Sequence, residues 1–335
     1  MPSFRTGVVT AILSERTGLQ RVEVGGEQAY VLTQLVGPVA VGDRVVMNTT
    51  AVDLGLGTGG WHVVHWNLAR ESWSQPGPGH IMKLRYTSLQ VDTGAAEELG
   101  RFDAATSLAG TPVVVCGLHS QVASVAAAFK RSAPGRRLTY VMTDGGALPL
   151  ALSDLVADLC RASLLDATVT CGHAFGGDYE AVDLHSALQV ADAITGAAAV
   201  VVAMGPGVVG TGTGTGTTAL EVATAIDAVS ALGGKPVAVV RYSDADTRTR
   251  HRGVSHHTRT ALGCAQSRAW VAVPAGERRP DVGNHEIVQV EVPDMAALLT
   301  SHGLTVRTMG RGPHEDPGFF RYAGAAGVAA AELLG

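Results

Sequence analysis

The sequence predicts an α/β protein in which a doubly wound, mostly parallel sheet follows a small N-terminal β-barrel-like domain. Three observations carry this expectation. Short apolar runs rich in β-branched residues recur from Thr111 onward, separated by segments of helical periodicity. That is the pattern of a parallel sheet covered on both faces. Residues 7–66 instead read as short strands set apart by turn chemistry. Between the two regions lies Ser72 to Gly79 (Ser-Trp-Ser-Gln-Pro-Gly-Pro-Gly), a natural linker.

The elements follow in order. Gly7–Leu13, Leu19–Val24, Gln28–Leu32, Arg44–Met47 and Trp61–Trp66 are the expected barrel strands, with Gly25-Gly26 closing a hairpin and Val41-Gly42-Asp43 turning into the fourth. They place an SH3-like or OB-like barrel in residues 1–75. Residues 76–335 are expected to form a Rossmann-like α/β domain. After an extended segment, His80–Val91, strands are expected at Thr111–Cys116, Leu138–Met142, Ala167–Cys171, Ala198–Met204, Pro236–Val240 and Ala269–Val273. Helices are expected at Gln121–Arg131, Ser153–Ala162, Leu184–Ile194, Thr218–Leu232 and Ser255–Gln266, and an Ala-rich helix, Tyr322–Leu334, ends the chain. Ser153 and Ser255 are the expected N-caps.

Composition narrows the function classes. Apolar residues are 46% and charged residues 16%, which suits a sizeable core and not disorder. Lys plus Arg is 25 against 30 Asp plus Glu, a net charge of −5, so a nucleic-acid partner, which needs a basic excess, is not expected. The N-terminus lacks a signal-peptide pattern. The longest apolar run, Ala197–Met204, is far short of the roughly 18 residues of a membrane helix, so no membrane association and a cytoplasmic location are expected. The four cysteines (Cys116, Cys160, Cys171, Cys264) form no CxxC pair and read as free thiols. The reading is compatible with a homo-oligomer.

In open α/β sheets ligands bind beyond the carboxyl ends of the strands. Five expected strand ends are polar or glycine-rich: Cys116-Gly117-Leu118-His119, Thr143-Asp144-Gly145-Gly146, Cys171-Gly172-His173, Gly205-Pro206-Gly207-Val208-Val209-Gly210 and Arg241-Tyr242-Ser243-Asp244. Each alone is ordinary βα-turn chemistry. Together they mark a site along one edge. His173, Asp178 and Asp144 are the acid/base candidates, since an imidazole titrates near neutrality and a carboxylate can orient it or a water. Each could equally be a structural residue.

Gly205, Gly207, Gly210 and Thr211 open a Gly/Thr-rich turn. It formally matches GxGxxG, but with proline second and the helix about seven residues late; no Lys follows, so it is no Walker loop. Its amides could wrap an anion, or its glycines could serve tight packing. The densest charge lies between Arg241 and Arg259. There Arg252, Ser255, His256 and His257 are expected at a helix start. Positive charge is disfavoured at that end of the dipole unless an anion completes the site or the imidazoles stay neutral. The alternative is a solvated loop with internal Arg–Asp pairs. Asp144, His173, Asp178, His256 and His257 show no recognised ligand spacing, and adjacent His256 and His257 project about 100° apart on a helix, so no metal is assigned. No cofactor is named. Asn48–Val52, Gly55–His62 and Arg311–Pro317 are further polar loops that could reach the edge or simply turn the chain.

The phrases Asn48–Gly60 (NTTAVDLGLGTGG), Tyr140–Leu148 (YVMTDGGAL), Gly172–Asp178 (GHAFGGD), Met204–Thr213 (MGPGVVGTGT) and His251–Thr258 (HRGVSHHT) resemble the bacterial domain of unknown function family 3866. That resemblance spans nearly the whole chain and implies no established activity. The Gly/Thr repeat after Gly210 departs from the bulkier residues expected there. A fainter resemblance links Gly177-Asp178 and the Gly-Pro strand end to the substrate-binding subunits of glycine and betaine reductases. The leading expectation is an enzyme acting on a small anionic metabolite, phosphorylated ones included, by a hydrolase- or transferase-like reaction. The alternatives are a ligand-binding regulatory protein without turnover and a thiol-dependent reductase-like scaffold using Cys116 or Cys171.

Overall fold

Alternation of apolar and polar side chains closes the N-terminal strands into a barrel. In the computed structural model, which describes residues 1–56, 59–99 and 107–335, these strands are β1 (Phe4–Arg16), β2 (Leu19–Val24), β3 (Glu27–Leu32), β4 (Arg44–Asn48) and β5 (His62–Asn67). One-turn helices α1 (Thr33–Val36) and α2 (Thr50–Asp53) lie between them. The closed order is β1-β2-β3-β5-β4. Strand β1 pairs with both β2 and β4, and register shifts within its β2 pairing let it bend between two partners. Strands β3 and β5 run parallel. Of the two barrel types expected, this order is the OB-like one. Val22, Val24, Ala29, Val31, Val45, Met47 and Val64 fill the interior.

The chain divides into two compact units, Met1–Gly94 and Ala95–Gly335. A short ribbon of β6 (Met82–Lys83) and β7 (Val91–Asp92) therefore groups with the barrel.

The second unit is built on a sheet of eight parallel strands. They are β8 (Pro112–Val115), β9 (Leu138–Thr143), β10 (Ala167–Thr170), β11 (Tyr179–Glu180), β12 (Ala199–Met204), β13 (Lys235–Val239), β16 (Trp270–Pro274) and β17 (Glu286–Val290). A ribbon of β14 (Tyr242–Ser243) and β15 (Gly253–Val254) stands apart. The helices are α3 (Val122–Ser132), α4 (Asp154–Arg161), α5 (Leu184–Gln189), α6 (Glu221–Ala231), α7 (His256–Cys264), α8 (Met295–Ser301) and α9 (Pro317–Glu332). The sheet order is β11-β10-β9-β12-β8-β13-β16-β17.

Successive strand residues alternate between two cores. Val114, Tyr140, Val201 and Val237 face α3, α4, α8 and α9. Val113, Val141, Val200 and Ala238 face α5, α6 and α7. Two-sided burial is why these strands read as unbroken apolar runs. Strand β17 and helix α8 lie outside the expected elements. The strand is an edge whose residues are mostly half-exposed or exposed, so it lacks the run that marks the others. Helix α9 begins earlier than expected, because Pro317 takes its first turn, where no amide partner is needed.

Helices α3 and α9 cross closely at Gly327, where a methyl group would overlap the Val125 carbonyl oxygen. Gly327→Ala should therefore destabilise by about 1–3 kcal/mol, the range for overpacking. A methyl group at Gly263 in α7 would meet nothing within 4 Å; Gly263→Ala should instead stabilise, by up to about 1 kcal/mol. Chemical denaturation of both variants checks the pair, and equal effects of one sign would refute this account of the crossing.

Candidate functional site

Helices following β8 and β9 pack on one face of the sheet, and those following β10, β12 and β13 on the other. Loops leaving β9, β12, β8 and β13, neighbours in that order, therefore diverge at the carboxyl edge and leave room between them. Two polar corners form there.

The first is a carboxylate corner at the end of β9. Asp144 is exposed, and its Oδ2 accepts a hydrogen bond from the His173 backbone amide at 3.0 Å. A side chain at Gly172 would strike the same carboxylate. Asp144 and the His173 backbone thus lie together. Asp178 does not join them. Its Oδ2 accepts from Thr168 N and Oγ1, both at 2.9 Å, near the amino end of β10, where it pins the returning loop. Its place beside Asp144 is taken by Glu221, which sequence reasoning missed. Thr143 Oγ1 lies 2.9 Å from both Glu221 oxygens. Burial pushes the Glu221 carboxyl up to about 7, and nearby Asp144 adds to the rise. A glutamate in a helix's first turn ordinarily complements the dipole, so its pattern did not distinguish it.

The glycine run between the corners has mixed roles. Gly205 and Pro206 interlock with the β9 loop: Ala147 N donates to Pro206 O at 2.8 Å, and a side chain at Gly146 would strike Gly205 O. Gly207, at φ 102°, borders a cleft of about 390 Å³ lined also by His119, Val208 and Arg307. Thr211 is spent inside a small hairpin, its amide donating to Gly216 O at 2.7 Å and its hydroxyl sharing a hydrogen with Thr213 at 2.8 Å. Gly210 reaches the second corner: a Cβ there would lie 3.2 Å from His257 Cε1.

That second corner gathers arginines and imidazoles at the end of β13. Ser255 caps α7, accepting from His257 N at 3.2 Å, and His256 and His257 occupy the first turn. The rings of His256 and His257 nevertheless converge, with centroids 4.3 Å apart. The offset of about 100° between adjacent helical positions applies at the helix axis, and side chains can close it at their tips. His251, on the preceding turn, completes the group, with centroids 4.9 and 4.8 Å from the other two. One ring nitrogen of each lies within 4.8 Å of the others'. His251 Nδ1 lies 2.7 Å from Ser255 Oγ. The Nε2 atoms of His256 and His257 are buried without a hydrogen-bond partner.

Arg241 is buried, with Nη1 3.3 Å from His257 Nδ1. A guanidinium only donates, so in this arrangement His257 accepts at Nδ1 and carries its proton on Nε2. Asp246 receives Arg248 at 3.0 and 2.8 Å and also faces Arg241 at 3.9 Å and Arg311 at 3.6 Å. Arg311 in turn bonds Asp316 at 3.0 Å, so the late polar loop does reach the edge. Three guanidiniums thus share two carboxylates. Burial, reinforced by Arg248, lowers Arg241 to about 10. Burial, then Arg241 and Arg248, lowers His251 to about 3. Burial, then His256 and Arg241, lowers His257 to about 4. Burial followed by Arg250 lowers His256 as well. Burial and the neighbouring guanidiniums thus favour the neutral form of all three imidazoles. Arg252 is exposed and makes no side-chain ion pair among the described residues.

The thiols lie elsewhere. Cys116 is buried and its pKa driven far up by burial, and buried Cys171 points at Met142 O at 3.6 Å. Burial of Cys116 works against its thiolate. In the barrel unit, Thr50–Asp53 of the first polar loop forms α2. Gly57 and Thr58 of the second lie outside the described residues. No described helix is long and apolar enough to cross a membrane.

No curated protein and no solved structure matches the chain significantly. A family model does, over residues 28–327, a span that takes in both polar corners. The chain therefore belongs to the family described as "Protein of unknown function (DUF3866)".

Proposed function

We propose that this protein is an enzyme acting on a small anionic metabolite, in a hydrolase- or transferase-like reaction. The observation that carries the reading is the charge imbalance at the end of β13, where Arg241, Arg248 and Arg311 share Asp246 and Asp316. A surplus of positive charge around buried Arg241 is costly unless an anion completes it. The Nε2–H of His257 would donate to that anion, and Arg241 would supply the fork. Arg252 would add charge at the rim, and Gly210 would let the anion close on the imidazoles.

Proton transfer would fall to the carboxylate corner. A carboxyl raised to about 7 suits a general acid or base at neutral pH, so Glu221 with Asp144 replaces Asp178 in that role, and His173 stands alongside. The corners sit at the ends of β9 and β13, three steps apart in the sheet, or about 14 Å at the usual strand spacing. One substrate touching both would be nucleotide-sized, with its anionic group at the arginines. The reductase-like alternative loses support from the buried thiols.

Two outcomes are expected. Inorganic phosphate and phosphorylated metabolites should raise the melting temperature of the parent chain in a thermal-shift screen. Arg241→Met should weaken the best of these by about 1–3 kcal/mol, and Arg252→Ala by less. A cationic best ligand, or unchanged affinity in Arg241→Met, would overturn the anion assignment.

The second outcome concerns Glu221. Its folded-state value is raised, so its stabilising contribution is full below the ordinary glutamate range and is lost as pH rises through about 7. Glu221→Gln cannot ionise. Relative to this variant, the parent should lose up to about 3 kcal/mol between roughly pH 4 and 8. Parallel stability–pH curves for the two proteins would show that Glu221 titrates normally.

A further inference from the structure

We propose that His251, His256 and His257 hold a divalent transition-metal ion, which presents an open coordination position to the anion. The inference rests on the same corner as the proposed function but asks a different question, namely what the imidazoles themselves bind.

Three observations carry it. The first is convergence: one ring nitrogen from each of three histidines lies within 4.8 Å of the others'. A tetrahedral ion with bonds of about 2.0–2.1 Å to nitrogen needs those atoms roughly 3.4 Å apart, so closing on a metal takes shifts on the order of 1 Å. The second is vacancy of bonding. His257 is 7% exposed, yet its Nε2 has no partner, and neither has Nε2 of His256. Buried imidazoles kept for structure alone normally bond through both nitrogens. The third is support from behind. Ser255 Oγ, 2.7 Å from His251 Nδ1, leaves the other nitrogen of that ring to turn toward the group. Outer hydrogen bonds of this kind orient metal-bound histidines.

The donor set also selects the metal. Three imidazoles, with no carboxylate joining the group among the described residues, suit zinc, cobalt, nickel, copper or ferrous iron, not magnesium or calcium. Three protein ligands leave a fourth position for water or substrate, as catalytic zinc sites do.

Arg241 opposes this arrangement and so makes it testable. Coordination through His257 Nε2 takes the place of that atom's hydrogen bond to the anion and moves the ring's proton to Nδ1, where it faces a guanidinium that can only donate. Arg241 must then give up its 3.3 Å contact and close on Asp246, already 3.9 Å away. A cation added to a positive corner also needs a negative ligand, so metal and anion should each tighten the other's binding, as linkage requires.

The test is a titration of the chelator-treated 335-residue chain with Co²⁺, read by visible d–d absorption, with and without inorganic phosphate. We expect one Co²⁺ per chain, displaced by Zn²⁺, with a spectrum that changes and an affinity that rises when phosphate is added. His256→Ala, a half-exposed position, should lower Co²⁺ affinity by more than the roughly 10–100-fold typical of an outer-shell loss, and Ser255→Ala by about that outer-shell amount. His185→Ala, at an exposed histidine elsewhere, should leave it unchanged. Arg241→Met should keep Co²⁺ binding and lose the phosphate effect. Circular dichroism establishes that each variant is folded. If the folded parent takes up no Co²⁺ while phosphate still stabilises it through Arg241, the metal site is overturned and the anion reading stands. If Co²⁺ binds equally in His256→Ala, the ion sits elsewhere and the proposal is equally overturned. If Co²⁺ binds through the histidines but phosphate has no effect, the metal site stands and the anion reading fails.

Discussion

Burial of one sheet on both faces governs the second unit of this protein. Most residues of the central strands point into one of two apolar cores, and an unpaired polar group in either would cost on the order of 1–3 kcal/mol. Polar side chains buried within the strands are therefore paired, as Thr139 is with Thr195 at 2.6 Å, and the polar loops gather at the strand ends. The thiols illustrate the rule from the other side: Cys116 and Cys171 lie where strands become loops, still inside the cores, and behave as small apolar side chains.

The same constraint explains what the sequence could disclose. Runs such as Pro112–Val115 and Ala199–Met204 are wholly buried, so their composition alone announced them, and the alternation of helices between them implied a parallel order. The barrel was legible for another reason, since its turns use glycine at tight corners such as Gly25-Gly26. The edge strand Glu286–Val290 was not legible. It buries too little to be apolar throughout and too irregularly to alternate cleanly.

The candidate site was readable as a location more than as a set of partners. Polar strand ends pointed to the carboxyl edge, where the His173 amide meets the Asp144 carboxylate. Identity of the side chains gathered there depends on contacts between segments distant in sequence. Glu221 meets Thr143 from 78 positions away; Arg311 meets Asp246 from the far end of the chain. No local spacing encodes either. His251 was closer to hand, within the phrase His-Arg-Gly-Val-Ser-His-His, yet its alignment with the helical pair depends on how the intervening ribbon strand folds back. Asp178 was misleading because a carboxylate that caps a strand start and one that transfers protons look alike in a Gly-Gly-Asp turn.

Ser255 ties the edge chemistry to the backbone. Its single oxygen accepts the His257 amide and also faces the His251 ring. That hydroxyl has one hydrogen to give and two lone pairs, so when the His251 ring turns from acceptor to donor, the oxygen must accept a hydrogen bond from the ring while still accepting the His257 amide. The two donors then share its two lone pairs. A change in the hydrogen bond between the His251 ring and Ser255 should then be transmitted to the first turn of the helix as a change in how often it frays. Amide hydrogen exchange at His257 would report on the site without a label, a chromophore or a known substrate.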